Sequence, residues 1–249
     1  METAFEQGAS FVHRLDPRVR LLAAAAFSIV VALASRFQVL LPAGLGALLL
    51  AALAGLPSRA MVRRITVVNG LILLLWFFLP FTVSGRTWFH MGPLAVTREG
   101  ILYATRITLK SNAIVLALIV LVSTMPVYTL GRAMRSLRVP RKLVQLLFFT
   151  YRYVHVILRE YQRLSTAARI RGFQPRTNLH TYRTYALLLG MLLVKSYERA
   201  ERVRAAMLCR GFQGRFYDLA DLEIRTGDIV MAGFLGLGIV TLALLEWLP

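Results

Sequence analysis

Five apolar runs, each near the length that crosses a bilayer, leave this chain few ways to fold. They cover about residues 19–34, 37–56, 66–83, 107–122 and 227–247. Roughly 20 helical residues cross about 30 Å of hydrocarbon. Backbone in lipid must satisfy its own hydrogen bonds, so runs of this kind become helices. The expected fold is all-α: a polytopic membrane protein with about five transmembrane helices. Composition agrees, because only 17% of the 249 residues are charged, against about a quarter in soluble domains. The formal charge of +18 would point to nucleic acid in a soluble protein. Here the basic residues sit between apolar runs, where the positive-inside rule and anionic lipid account for them. No nucleic-acid partner is expected, and membrane lipid is.

Local signals sharpen this plan. Asp16-Pro17 reads as a helix start, with an Asp cap and Pro at the first helical position, where the missing N–H is harmless. Ser35-Arg36 is a tight polar turn between the first two runs. Residues 1–18 read as a polar leader, with no short hydrophobic stretch and cleavage site of a removable signal. Arg14, Arg18 and Arg20 precede or open the first run, and Arg59, Arg63 and Arg64 follow the second. Residues 125–226 hold 19 of the 30 Lys and Arg but 6 of the 12 Asp and Glu. That asymmetry places the N-terminus and the basic region on the cytoplasmic side, with the C-terminus outside and Trp247 as an interfacial anchor. Basic residues in the 84–106 connection run against the rule. Three parts follow: leader and membrane helices over 1–126, a cytoplasmic domain over 127–226, and a last membrane helix over 227–249.

The basic region contains two long helical patterns. Residues 141–171 lack Pro and Gly, and Arg152, Arg159 and Arg163 recur on one face. Residues 182–210 repeat the design with Lys195, Arg199 and Arg202, and Glu198–Arg202 is a favourable i,i+4 pair. Pro175-Arg176-Thr177-Asn178 forms the turn between them. Both patterns begin apolar and end charged. Both also close on the same four residues, Arg171-Gly172-Phe173-Gln174 and Arg210-Gly211-Phe212-Gln213. At the same offset Arg163 matches Arg202, Ala167 matches Ala206 and Arg176 matches Arg215. Gly can take the left-handed conformation that stops a helix, and the apolar residue after it can fold back on the last turn. Capping alone does not explain why two helices end alike. Two similar Arg tips suit two similar acidic acceptors, because the guanidinium fork binds carboxylates at two points.

These residues resemble the T component of energy-coupling factor (ECF) transporters. The resemblance rests on the leader His13-Arg14-Leu15-Asp16-Pro17-Arg18 and on two X-Arg-X motifs at helix ends, Ile170-Arg171-Gly172 and Cys209-Arg210-Gly211. That family commonly carries Ala at the first motif position, where this chain has Ile and Cys. The stretch through Val139-Pro140-Arg141-Lys142-Leu143 and Tyr151-Arg152-Tyr153 is similar to the cobalt-type members. The resemblance implies a non-catalytic scaffold whose two coupling helices each seat a tip in one of two ABC-type ATPase subunits. It further implies a substrate-binding membrane subunit, with a small accessory membrane subunit, as partner. ATP and Mg would be used by the ATPases, cobalt would be the transported ion, and nickel or a vitamin is the alternative cargo. This chain would bind no cofactor itself.

Other chemistry finds little support. No Gly-Lys dipeptide occurs, hence no P-loop. His13, His90, His155 and His180 are scattered, without the i,i+3 or i,i+4 spacing of a preset metal site. His90-Met91 is the one place that could touch a passing metal, and His155 reads as packed or interfacial. The single Cys209 excludes an internal disulfide. Phe148, Phe149, Tyr151 and Tyr153 read as packing or interface residues, and Asp218, Asp221 and Glu223 as a solvated linker. A membrane enzyme acting on phosphorylated lipid lacks a nucleophile–base constellation. A plain anchor for an acidic partner remains the third reading.

Overall fold

A computed structural model describes residues 15–55, 58–83, 87–91, 94–214 and 226–247, with backbone alone at 58–60, 87–91, 94–96 and 226. His13, Arg14, Arg215, the side chains of Arg59 and His90, and the acidic stretch 218–223 lie outside these residues. Eight helices appear among them: α1 (Pro17–Leu33), α2 (Phe37–Leu53), α3 (Ser58–Thr82), α4 (Arg98–Leu121), α5 (Val127–Ser136), α6 (Arg141–Ile170), α7 (Leu179–Cys209) and α8 (Thr226–Trp247). A short antiparallel hairpin, β1 (Thr87–Met91) with β2 (Leu94–Thr97), joins α3 to α4. The chain forms two compact units, one from Met1–Val139 with Leu222–Pro249, the other from Pro140–Asp221.

All five expected spans are helices, but they differ in reach. Met61–Thr82, Arg98–Leu121 and Gly227–Trp247 are long and apolar enough to cross a membrane. The helices α1 and α2 have 17 residues each, about 25 Å of rise, at the short end of the spanning range. In the first unit α4 is the central helix, packed against α1, α2 and α3. Its buried Ala104, Ala113 and Ala117 allow close approach, and α2 answers with Val39, Ala43, Ala47 and Ala51, one per turn. Large apolar side chains point away from this core, including Leu45, Leu49, Leu71, Phe77, Phe234 and Leu237. That outward apolar surface suits lipid contact.

Polar clamps hold α1 at both ends. Asp16 caps it, accepting from the Arg18 N–H at 2.8 Å, with Pro17 at the first position as its sequence predicts. The Asp16 N–H donates to Asp228 Oδ1 of α8 at 3.0 Å. Arg20, read from sequence as a leader charge, is instead buried, and its Nη2 donates to Val120 O in the last turn of α4 and to the Thr124 hydroxyl just beyond it. At the other end Lys110 Nζ donates to Ala32 O at 3.0 Å, and Glu246 accepts from the Ser35 and Arg36 N–H groups. Arg106 lies 5.0 Å from the Phe37 ring centroid. A single hydroxyl closes the α3–α4 connection: Thr97 Oγ1 donates to Val83 O (2.8 Å), with Pro80 O at 3.2 Å. Gly100 lies so close to α3 that a Cβ there would meet Leu79 O and Pro80 Cα at 2.7 Å.

The short α5 and the hairpin are the elements that sequence reading missed. The former packs on α1 through buried Gly131 and Ala133, leaving Tyr128 and Arg135 exposed.

Candidate functional site

The second unit consists of α6 and α7. No Pro or Gly interrupts α6, so its 30 residues form one rod of about 45 Å. Asn178 starts α7, its Oδ1 accepting from the Thr181 N–H at 2.9 Å, after the expected turn at 175–178. The helices run antiparallel: Phe173 at the end of α6 meets His180 and Tyr185 near the start of α7. The end of α7 faces the first half of α6 across an apolar groove of about 790 Å³, lined by Phe149, Tyr153, Ile157, Val203, Met207 and Phe212.

Both repeat copies end their helices with the same two hydrogen bonds. Arg171 is the C-cap of α6. The Gly172 N–H donates to Arg169 O (3.0 Å) and the Phe173 N–H to Ala168 O (3.1 Å). Arg210 is the C-cap of α7, with Gly211 N–H to Leu208 O (2.9 Å) and Phe212 N–H to Met207 O (3.1 Å). This is the Schellman pattern, and it needs a left-handed residue after the cap. Gly172 and Gly211 supply it at φ +86° and +75°. Phe173 reaches the other helix, and Phe212 lines the groove. Phe173 packs edge-on to Tyr185 with centroids 5.7 Å apart.

The six motif residues, Ile170, Arg171, Gly172, Cys209, Arg210 and Gly211, are all exposed. They form two tips at opposite ends of the pair. Arg163 and Arg202, also duplicated, are tied within their own helices to Glu160 (3.7 Å) and Glu198 (3.8 Å). Arg171 and Arg210 pair with no carboxylate among the described residues. Each Arg stands at the C-terminus of its helix, where its positive charge opposes the partial negative charge of the helix end.

A cross-helix contact joins the rods at mid-length, where Lys195 Nζ donates to Glu160 Oε1. That hydrogen bond, with the nearby Arg163 and Arg199 charges, holds the Glu160 carboxyl below its ordinary pKa. Sequence reading placed Lys195 on a basic face and singled out Glu160 not at all. An acid lodged in a basic stretch was the available signal. His155 is exposed on α6 rather than packed. Phe149 and Tyr153 stack with centroids 6.2 Å apart, in line with the packing role expected of them. No cluster of three or more His, Cys, Asp or Glu occurs among the described residues.

The CbiQ family, described as cobalt transport protein, matches residues 8–218. The chain is 29% identical to the energy-coupling factor transporter transmembrane protein EcfT of Acidaminococcus fermentans, over 96% of this chain and 94% of that one. It is 27% identical to EcfT of Leuconostoc gelidum, over 98% and 96%. Against EcfT of Bacillus subtilis it is 26% identical, over 83% and 82%.

Proposed function

Because this chain belongs to the CbiQ cobalt transport protein family and is the T component of an ECF transporter, we propose that it couples two ABC-type ATPase subunits to import through a substrate-binding membrane subunit. Arg171 and Arg210 are the coupling residues. Each tip, Ile170-Arg171-Gly172 and Cys209-Arg210-Gly211, enters an acidic groove on one ATPase, and nucleotide-driven closure of the ATPase pair displaces both helices. The chain performs no bond chemistry in this scheme; ATP and Mg are handled by the ATPases. Cobalt is the cargo, favoured over nickel or a vitamin by membership of a cobalt transport protein family. The protein sits in the bacterial inner membrane with its N-terminus in the cytoplasm, on the strength of the charge asymmetry across its loops.

One observation carries this reading: two long helices end in identical caps that expose an Arg at opposite ends of an antiparallel pair. Rigid, duplicated, unpaired cations suit a pair of equivalent acceptors better than a single one. Affinity isolation of the tagged chain from native membranes tests it. Two copies of a nucleotide-binding subunit and at least one further small membrane protein are expected. Proteoliposomes of that complex should accumulate cobalt in an ATP-dependent way. Isolation of the chain without any ATPase contradicts the reading, and ATP-driven uptake of nickel or a vitamin without cobalt reassigns the cargo alone.

A further inference from the structure

Two helices of this length normally fix their crossing through a shared apolar seam. Here that seam is only half-buried, with Val156 and Leu164 of α6 and Leu188 and Leu192 of α7 along it. Val144 is the one buried residue of α6, and Thr181 the one of α7, among those described. Apolar side chains along both rods remain exposed, including Ile157, Leu158, Leu189, Leu193 and Val194. Phe173 packs on α7 at one end, and Lys195 meets Glu160 between the ends, amid the half-buried Val156, Leu164, Leu188 and Leu192. Among the described residues, Glu160–Lys195 is the charged pair that crosses between the helices. The Glu160 side chain is 14% exposed, and its second oxygen faces Arg163 at 3.7 Å. Arg199 adds a third positive charge nearby.

We infer that Glu160 and Lys195 are a positioning pair, the pivot that makes the two coupling helices move as one body. The pair stands about 17 Å along α6 from Arg171 and about 22 Å along α7 from Arg210, at 1.5 Å per residue. Displacement of one tip can reach the other, or reach a membrane subunit, only if the crossing holds under load. A half-buried apolar stripe alone can slide, and an ion pair set into it fixes the register because it resists separation while tolerating small rotations. The inference rests on the coupling role proposed above for the tips. It predicts a different defect from theirs: loss of the pivot uncouples the machine without releasing the ATPases.

Two readouts separate the pivot from the coupling role. In the full chain with Cys209→Ser, spin labels at positions 174 and 213 report the tip separation in nanodiscs, whatever the transported substrate. Glu160→Gln and Lys195→Met should broaden that distance distribution, whereas Lys195→Arg, which keeps the charge, should leave it narrow. In the reconstituted complex the same two variants should keep ATPase association and hydrolysis, with uptake per ATP lowered roughly two- to fivefold, the range of a partly exposed ion pair, and Lys195→Arg should restore it. An unchanged distribution in both Glu160→Gln and Lys195→Met overturns the pivot. A broadened distribution with unchanged uptake keeps the pivot and overturns the coupling role.

Discussion

At the scale of single residues, the informative positions are those whose backbone leaves little choice. Gly172 and Gly211 have left-handed φ, and no atom lies within 4 Å of where their Cβ would be. Replacement by Ala therefore meets strain but no clash, and should weaken each cap by about 1 kcal/mol. Faster amide exchange at Phe173 or Phe212 would report it. Arg138 holds the same left-handed place at the end of α5, at φ 62°, with Val139 N–H donating to Met134 O. Its side chain is exposed, so Arg138→Gly should stabilise the first unit by up to about 1 kcal/mol, seen as a higher melting temperature. Gly100→Ala is the opposite case, since its Cβ would meet backbone atoms of α3 at 2.7 Å. That variant should lose about 1–3 kcal/mol of stability, and a wild-type melting temperature would contradict the close approach described here.

At the scale of elements, the sequence was legible wherever one physical demand dominated. Lipid demands long apolar helices, and all five apolar runs are helical, three of them long and apolar enough to span; the Asp16 cap, the turn at 175–178 and the Gly caps were legible too. What was missed is short. The hairpin β1–β2 has strands of five and four residues, and α5, though strongly amphipathic, has only ten residues. Arg20 looked like a topogenic charge, and only the fold reveals Thr124 and Val120 O waiting for it. The tips were read by repetition, but the Glu160–Lys195 tie was not, because partners 35 positions apart are linked by helix crossing and not by spacing. That tie gives the second unit a pH response. Glu160 has a lowered pKa in the folded chain, with Lys195 as first cause. Its contribution is complete above the unfolded glutamate value, near 4.3, and is lost as pH falls through the lower folded value. The tip-to-tip distance should thus stay narrow at pH 5 and broaden only below the ordinary glutamate range. Broadening already at pH 6 would mean that another group holds the crossing.

At the scale of the whole molecule, a membrane unit clamped at both ends of α1 is joined to a unit whose two helices only half-bury their facing stripes. Such a helix pair is poorly suited to stand alone, and its exposed apolar length and two open guanidinium groups call for protein partners. The central claim is that force enters through Arg171 and Arg210. Removing a bidentate Arg from a charged contact that becomes buried on binding weakens it on the order of 30-fold or more. The most direct measurement is ATPase binding and ATP-dependent uptake by the Arg171→Ala, Arg210→Ala and double variants, reconstituted with their partners. The account predicts that each single variant weakens ATPase binding and lowers uptake, and that the double variant abolishes both. ATPase binding and uptake at wild-type level in the double variant would contradict it.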